Sequence, residues 1–201
     1  CMAKYLYDNG IVRKEEMTLE TDKGTKTVRV YTTDGKVTSA CVDMGYAALD
    51  TTALHLNIPE RQVVDYPVEI GGQSWNITCV DMGNPHCVVF CPRVDGVDVG
   101  TVGPLFEHAP YFPDRINTEF IRVVNPSTIK MRVWERGSGE TMACGTGACA
   151  AVVAAVAAGQ CEQGRDITVR VRGGDLVVNY TDEAVTLTGD AKLVYTGTVE
   201  Y

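Results

Sequence analysis

The sequence predicts an α+β fold of the α/β-roll type. It should have two pseudo-symmetric units of mixed, mostly antiparallel sheet, each around a central apolar helix, with the first unit incomplete. Residues 148 to 158 are alanine-rich and uncharged, which is typical of a helix buried on every side. Short segments of alternating apolar and polar residues, separated by glycine-containing turns, indicate antiparallel strands. An internal repeat relates the two ends of the chain and indicates that there are two units.

The element signals follow the chain in order. A helix over residues 1 to 9 should end at Gly10, because glycine favours helix C-termini. A hairpin is then predicted around Asp22-Lys23-Gly24, and the Thr33-Asp34-Gly35 turn should lead into a strand over 36–42. Further strands are predicted over 62–70, 73–81, 87–91, 116–123, 129–135, 167–171, 176–180, 185–188 and near 192–199. Residues 97–109 fit a helix or a loop.

The internal repeat has an offset of about 144 to 149 residues over the first 45 positions. Cys149 and Gly159 bracket the apolar helix as Cys1 and Gly10 bracket the first helix. By this register, the counterpart of Cys144 would lie five residues before Cys1. We therefore expect an N-terminally truncated chain, taken from the later part of a longer protein.

The repeat also predicts the domain boundaries. Residues 1–45 together with 190–201 should form the remainder of a first domain, and residues 46–189 a second domain. Gly45 is the candidate hinge between them.

Composition narrows the classes of function. The 201 residues are 45% apolar and 22% charged, as in ordinary globular proteins. The net charge of −8 and the dispersed basic residues argue against nucleic acid or an anionic membrane as a partner. The apolar run is shorter than a membrane span, and no signal peptide is evident, so we expect a cytoplasmic protein.

The eight cysteines are expected to be reduced thiols, because a chain of this length can build a core without disulfides. Their spacings, such as Cys144-x4-Cys149, are poor for zinc, and no metal site is expected. The same spacing is not the CxxC motif of a redox thiol protein.

Cys144 is the candidate catalytic residue. Together with Gly145 and Thr146 it occupies the predicted N-terminus of the buried helix, where backbone N–H groups lack partners and the helix dipole is positive. We expect this position to lower the pKa of the thiol and to bind a substrate carboxylate through the N–H groups of Gly145 and Thr146. Two such cysteines on opposite faces of one ligand could remove and return an α-proton.

Other polar residues leave two interpretations open on sequence grounds alone. His86, after Asn84-Pro85, could tune a thiol or simply cap a turn. Asn117, within a strand, could contact a ligand or be buried with its hydrogen bonds satisfied. Glu135 and Arg136 could form a salt bridge, although adjacent strand residues point to opposite faces.

Four motifs resemble the diaminopimelate epimerase family in order and spacing. They are Gly83-Asn84-Pro85-His86, Ile116-Asn117-Thr118, Trp134-Glu135-Arg136-Gly137-Ser138-Gly139-Glu140-Thr141 and Ala143-Cys144-Gly145-Thr146-Gly147. The third motif is the most specific. The helix at Cys1 resembles the one that follows the family's Cys-Gly-Asn-Gly turn, and that turn is absent from this sequence.

The resemblance implies a role for each matched residue. Cys144 would be one of two acid/base cysteines, with His86 and Glu135 tuning the proton affinity of the thiols. Gly145 and Thr146 would hold the α-carboxylate of the substrate. The residues that would bind the distal end of the substrate are Asn84, Asn117, Glu135 and Arg136.

The resemblance also implies a function. Such an enzyme interconverts LL- and meso-2,6-diaminopimelate for lysine and peptidoglycan synthesis, without pyridoxal phosphate or metal, usually as a cytoplasmic homodimer. With a single catalytic cysteine, the chain as given should not epimerise. The alternatives are another two-cysteine racemase, acting on proline, hydroxyproline or histidine, and an inactive fragment that binds substrate or a partner chain.

Overall fold

A computed structural model describes residues 1–21 and 24–200 of the chain. The chain forms two compact units, Cys1–Asp43 with Thr188–Tyr201, and Met44–Leu187. Each unit combines antiparallel strands with a helix, and the second also contains parallel strand pairs, so the predicted α+β class is confirmed. Assignment of these stretches to two epimerase domains, with Gly45 as a hinge, stays a prediction.

The first unit is built from one helix and a three-stranded antiparallel sheet. Its elements are α1 (Met2–Asp8), β1 (Glu16–Thr21), β2 (Gly24–Thr33) and β3 (Lys36–Gly45), whose last two residues belong to the second unit. Asp34 and Gly35 both have positive φ, as a two-residue hairpin turn requires, whereas Asp22 and Lys23 of the predicted first turn lie outside the described residues. Asp8 joins α1 to the sheet by accepting the Val37 N–H at 2.8 Å.

The second unit is a mixed sheet with two helices. In space the strands run β12-β11-β10-β8-β7-β6-β5-β4, with β9 paired to β8. Their bounds are β4 (Tyr66–Ile70), β5 (Gln73–Asp81), β6 (Pro85–Phe90), β7 (Asn117–Asn125), β8 (Thr128–Glu135), β9 (Gly139–Thr141), β10 (Asp166–Val171), β11 (Gly174–Tyr180) and β12 (Val185–Asp190), which continues into the first unit. The helices are α2 (Val99–Glu107) and α3 (Gly145–Ala157). The pairs β6/β7 and β8/β10 are parallel.

The core of the second unit surrounds α3. Every residue from Gly147 to Ala155 is buried, as expected for a helix without a polar face. Strands β5 to β8, β10 and β11 all contact it, and its alanines and small valines allow this close approach. A second apolar cluster lies around Phe106 and Phe120, whose rings pack edge to face at 5.5 Å. Among the described residues, no helix is long and apolar enough to cross a membrane.

The internal repeat is visible in the strand pairing. In the first unit Met17 lies opposite Val28, and in the second unit Ile167 lies opposite Val178. Both pairs lie on β-hairpins with the same register, 150 positions apart. The repeat read from the sequence therefore corresponds to a shared helix-then-hairpin pattern.

The strand predicted near residues 192–199 is wrong. Residues 191–200 form neither helix nor strand, and Leu193, Val194 and Tyr195 are more than three-quarters exposed. Apolar and polar residues alternate there, but a strand also needs hydrogen-bond partners, and no backbone hydrogen bond from this segment is present among the described residues. Several boundaries also differ: β4 begins at Tyr66 rather than 62, β6 at Pro85 rather than 87, and α3 at Gly145 rather than 148.

Candidate active site

Cys144 caps the N-terminus of the buried helix α3. Its backbone is extended (φ −130°, ψ 116°), and its sulfur accepts a hydrogen bond from the Gly147 N–H at 3.4 Å. The Thr146 Oγ1 lies 3.5 Å from the same sulfur. No acceptor for the N–H groups of Gly145 or Thr146 is present in the part of the chain that the structure describes. A buried thiol therefore lies beside two free backbone donors.

The expectation of a lowered thiol pKa is wrong. Burial, followed by the charge of Glu119, raises the pKa of Cys144 to about 11. Hydrogen bonds from Thr146 and Gly147 lower it, and the charge of Glu135 adds a smaller increase. The helix N-terminus does supply stabilising donors, but removal of the thiolate from water and the repulsion by a carboxylate outweigh them.

Glu119 is a buried acidic residue beside this site that sequence analysis missed. It lies on β7, is fully buried, and its Oε1 is 2.7 Å from the His86 Nδ1 on β6. A Cβ on Gly147 would lie 2.6 Å from the same oxygen, so the absence of a side chain there makes room for the carboxylate. The available sequence signal was an acidic residue in the middle of an apolar strand.

His86 is placed by two hydrogen-bond partners rather than by a contact with the thiol. Its Nε2 lies 3.1 Å from the Asn84 Oδ1, and the Asn84 Nδ2 donates to the Thr146 Oγ1 at 3.4 Å. Asn84, His86, Thr146 and Cys144 are thus brought together as one polar group. Their roles toward a substrate stay predictions.

Asn117 has both ends of its amide engaged. Its Oδ1 accepts the Arg136 N–H at 3.0 Å, and its Nδ2 donates to the Pro85 carbonyl at 2.8 Å. The amide therefore joins the loop that carries Asn84 to the turn that carries Arg136. Because Nδ2 has a second N–H, it can also donate to a ligand.

Glu135 and Arg136 do not form the salt bridge considered above. Among the described residues, Arg136 Nη1 donates to the Asp114 carbonyl at 2.8 Å, whereas Glu135 Oε1 accepts from the Thr141 hydroxyl at 2.5 Å. A depression of about 280 Å³ lies beside Arg136, with Asn84, Pro85 and Asp114 also in its wall. The remaining guanidinium donors can bind an anion there.

Glu107, on α2, fixes the turn after β8. Its buried carboxylate accepts from the Trp134 Nε1 at 2.6 Å, the Gly137 N–H at 3.0 Å and the Arg115 Nη1 at 3.2 Å. Burial by itself would raise the pKa of Glu107, but the bonds from Trp134 and Gly137 outweigh it, so the pKa is lowered. The hydrogen bond to Glu107 on α2 thereby fixes the backbone of the turn that contains Arg136.

No described group of three or more His, Cys, Asp and Glu side chains is arranged to hold a metal ion. The polar groups around Cys144 are instead hydrogen-bond donors and a single thiol, which suits proton transfer and carboxylate binding.

Replacing Glu107 with glutamine should destabilise the second unit by about 1–3 kcal/mol, because an amide cannot accept from both Trp134 and Gly137 while also facing Arg115. Since the pKa of Glu107 is depressed in the folded state, its contribution is present above the unfolded pKa and is lost as pH falls through the folded one. Thermal melts between pH 7 and pH 3 should therefore converge for the two proteins in acid. Glu162→Gln, at an exposed position, is the control; an equal effect of both changes would contradict the role of Glu107.

Replacing Glu119 with glutamine should lower the pKa of Cys144, because a negative charge that repels the thiolate is removed. The rate of Cys144 alkylation by iodoacetamide, followed by peptide mass spectrometry between pH 7 and pH 10, measures this. At fixed pH the variant should react about tenfold faster. Glu183→Gln, at an exposed position, should leave the rate unchanged. Equal or slower reaction in Glu119→Gln than in wild type would contradict the expectation that the charge of Glu119 is its dominant effect on the thiol.

Comparison with known proteins identifies named relatives of this chain. The family model described as diaminopimelate epimerase matches residues 78–199. A diaminopimelate epimerase from Pelotomaculum thermopropionicum is 46% identical over 202 residues, covering all of this chain and 71% of that protein. One from Moorella thermoacetica is 45% identical over 199 residues, covering 98% and 71%.

Solved structures share the fold at low sequence identity. A probable proline racemase from Agrobacterium radiobacter has a TM-score of 0.67 at 17% identity, covering 94% of this chain and 63% of that one. A hydroxyproline epimerase from Agrobacterium vitis has a TM-score of 0.65, also at 17% identity, covering 94% and 61%. These likenesses show the fold alone. With more than two-fifths of its residues identical to named relatives across nearly its whole length, the chain belongs to the diaminopimelate epimerase family.

Proposed function

We propose that this protein interconverts LL- and meso-2,6-diaminopimelate, with Cys144 as the acid/base group on one face of the α-carbon. The observation that carries the proposal is a buried thiol beside two free helix N–H groups, next to a depression walled by Arg136. Relatives at 45–46% identity are named for this activity. The product would feed lysine and peptidoglycan synthesis.

The proton transfer uses the Cys144 sulfur. With its pKa raised to about 11, Cys144 holds its proton at neutral pH in the free protein. The corresponding thiolate is a stronger base than an ordinary cysteine thiolate, which helps in taking a proton from weakly acidic carbon. The N–H groups of Gly145 and Thr146 would bind the α-carboxylate and stabilise the negative charge that develops on it.

Inversion requires a second acid/base group on the opposite face of the carbon. A second thiol is the proposed group, and the internal repeat predicts its position five residues ahead of Cys1. His86 and Glu135 would tune the two thiols. On this proposal Cys144 by itself exchanges the α-proton on its own face, and both thiols together are needed for epimerisation.

The distal amino acid end of diaminopimelate has a carboxylate and an ammonium group. Arg136 is proposed to bind the carboxylate, because one guanidinium nitrogen is fixed on the Asp114 carbonyl and the depression lies beside it. Glu135, Asn84 and Asn117 would bind or orient the ammonium end. A proline-like substrate would leave Arg136 and Glu135 without a ligand group.

The remaining parts of the proposal come from the family. The reaction would proceed without pyridoxal phosphate or metal, because thiols alone can exchange the proton. The protein would act as a homodimer in the cytoplasm. Intact mass, compared with the 21.8 kDa of this sequence, and light scattering are the first measurements.

Replacing Cys144 with serine should reduce α-proton exchange into LL-diaminopimelate by at least about a hundredfold, because an alcohol is a far weaker acid and base pair than a thiol. The measurement is proton–deuterium exchange in D2O followed by NMR. Cys161→Ser is the matched control, since both cysteines are 7% exposed and Cys161 lies beyond the other end of α3. Retained exchange in Cys144→Ser would remove the assigned role, and exchange of proline but not diaminopimelate would favour the racemase alternative.

Replacing Arg136 with alanine should weaken diaminopimelate binding about tenfold or more, through loss of a charge-assisted bond to the distal carboxylate. Titration calorimetry measures the affinity, and a thermal melt measures stability. Arg122→Ala, at an exposed position on β7, is the control. A large fall in melting temperature with unchanged affinity would instead assign Arg136 a structural role through the Asp114 carbonyl.

A further inference from the structure

Glu119 is a buried acid that the reaction proposed above does not use. Its side chain is fully buried, and its Oε2 has no hydrogen-bond partner among the described residues. Such a group is costly to bury, since an unsatisfied buried polar atom is destabilising. Its bond to the His86 Nδ1, at 2.7 Å, is shorter than the contacts that join His86, Asn84, Thr146 and Cys144.

Four consecutive contacts connect Glu119 to the reactive sulfur. They join Glu119 Oε1 to His86 Nδ1 at 2.7 Å, His86 Nε2 to Asn84 Oδ1 at 3.1 Å, Asn84 Nδ2 to Thr146 Oγ1 at 3.4 Å, and Thr146 Oγ1 to Cys144 Sγ at 3.5 Å. The last contact is within range because sulfur is larger than oxygen. The connection crosses β7, β6 and the first turn of α3.

With the Asn84 amide oriented as it is in the structure, the hydrogen bonds of this series run in one direction. An amide oxygen only accepts, so a hydrogen bond between His86 Nε2 and Asn84 Oδ1 requires a proton on Nε2. Asn84 then donates through Nδ2 to the Thr146 oxygen. The Thr146 hydroxyl proton is left to point at Cys144 Sγ, which becomes the acceptor.

We propose that Glu119 is a positioning residue for Cys144. Its carboxylate accepts the Nδ1 proton of His86, and this ion pair keeps a second proton on Nε2. That second proton starts a one-way series of hydrogen bonds, through Asn84 and Thr146, that ends on the Cys144 sulfur. The proposal rests on the acid/base role of Cys144 proposed above, because it describes how that sulfur is supplied with a donor when it becomes a thiolate.

The opposite direction would have the opposite effect. If His86 had its only proton on Nδ1, the Asn84 amide would turn to donate to Nε2, and its oxygen would accept the Thr146 hydroxyl proton. Cys144 would then be the donor to Thr146, and its thiol form would be favoured. The proton on His86 Nε2 therefore decides whether these hydrogen bonds stabilise the thiolate or the thiol form of Cys144.

This series of hydrogen bonds stabilises the Cys144 thiolate, whereas the charges near Cys144 destabilise it. Glu119 and Glu135 repel the thiolate from β7 and β8, and the Cys149 thiol lies one turn further along α3. His86, on β6, is the remaining titratable group of this polar cluster. Glu119 thus has two separable effects, a charge that disfavours the thiolate and a hydrogen bond that aims a donor at it.

The protonation of His86 is observable directly. In protein labelled with nitrogen-15 histidine, three histidines are present, and His55→Gln and His108→Gln assign the signals of the other two. We expect Nε2 of His86 to carry a proton in wild type. A bare Nε2 would overturn the proposal.

Alkylation of Cys144 by iodoacetamide at fixed pH tests the consequence. Thr146→Val removes the donor and should slow alkylation about tenfold, whereas Thr146→Ser keeps the hydroxyl and should react at nearly the wild-type rate. Glu119→Asp keeps the charge but withdraws the carboxylate from His86, so it should slow the reaction similarly. In the double variant Glu119→Asp/Thr146→Val, the two decreases in alkylation rate should not multiply, because both substitutions interrupt the same series of hydrogen bonds.

Two results of the alkylation experiment would contradict the proposal. Losses that multiply in the double variant, or equal rates in Thr146→Val and Thr146→Ser, would show that Glu119 acts without the chain. Thermal melts check that each variant is folded. If Glu119→Asp does not fold, the wild-type histidine spectrum and the two Thr146 variants still decide the matter. Neither the histidine spectrum nor the alkylation rate needs a substrate. The positioning role of Glu119 can therefore fail while diaminopimelate epimerisation is confirmed, and it can be confirmed while epimerisation fails.

Discussion

The burial of α3 is the constraint on which the rest of the second unit depends. A helix that is apolar on every side has to be surrounded, and strands β5 to β8, β10 and β11 contact it. Its N-terminal N–H groups are then inside the protein, where they need acceptors or a ligand. Cys144 satisfies one of them through its sulfur, and the N–H groups of Gly145 and Thr146 have no acceptor among the described residues. The packing requirement and the candidate anion site are therefore one feature.

The same burial sets the character of the thiol. A helix N-terminus favours a thiolate, but its effect is local, whereas desolvation and a buried carboxylate act on the same sulfur with the opposite sign. The result is a thiol pKa of about 11 for Cys144. Hydrogen bonds from Thr146 and Gly147 limit the rise. A thiol of this kind holds its proton at neutral pH and is strongly basic once that proton is lost.

A second set of interactions holds the Arg136 turn. Glu107 accepts from the turn and from Trp134, whose ring lies so close to α2 that a Cβ on Gly103 would meet it at 2.4 Å. Asn117 binds the same turn from the sheet side. The polar residues that approach the depression are thus mounted on elements fixed by packing, which agrees with the general need of a binding site for a rigid support.

The sequence by itself determined the fold class, the buried helix, the cysteine at its start and the tight turns, because these depend on periodicity and on residues adjacent in the chain. Asp34-Gly35 and Gly71-Gly72, for example, adopt the positive φ angles of hairpin turns. Only the tertiary structure decided that Glu119 pairs with His86, 33 positions away, that Glu107 holds the Arg136 turn, and that the Cys144 pKa is raised. It also decided that the C-terminal segment forms no strand. Strand pairing and desolvation depend on which distant residues meet, and no local pattern contains that information.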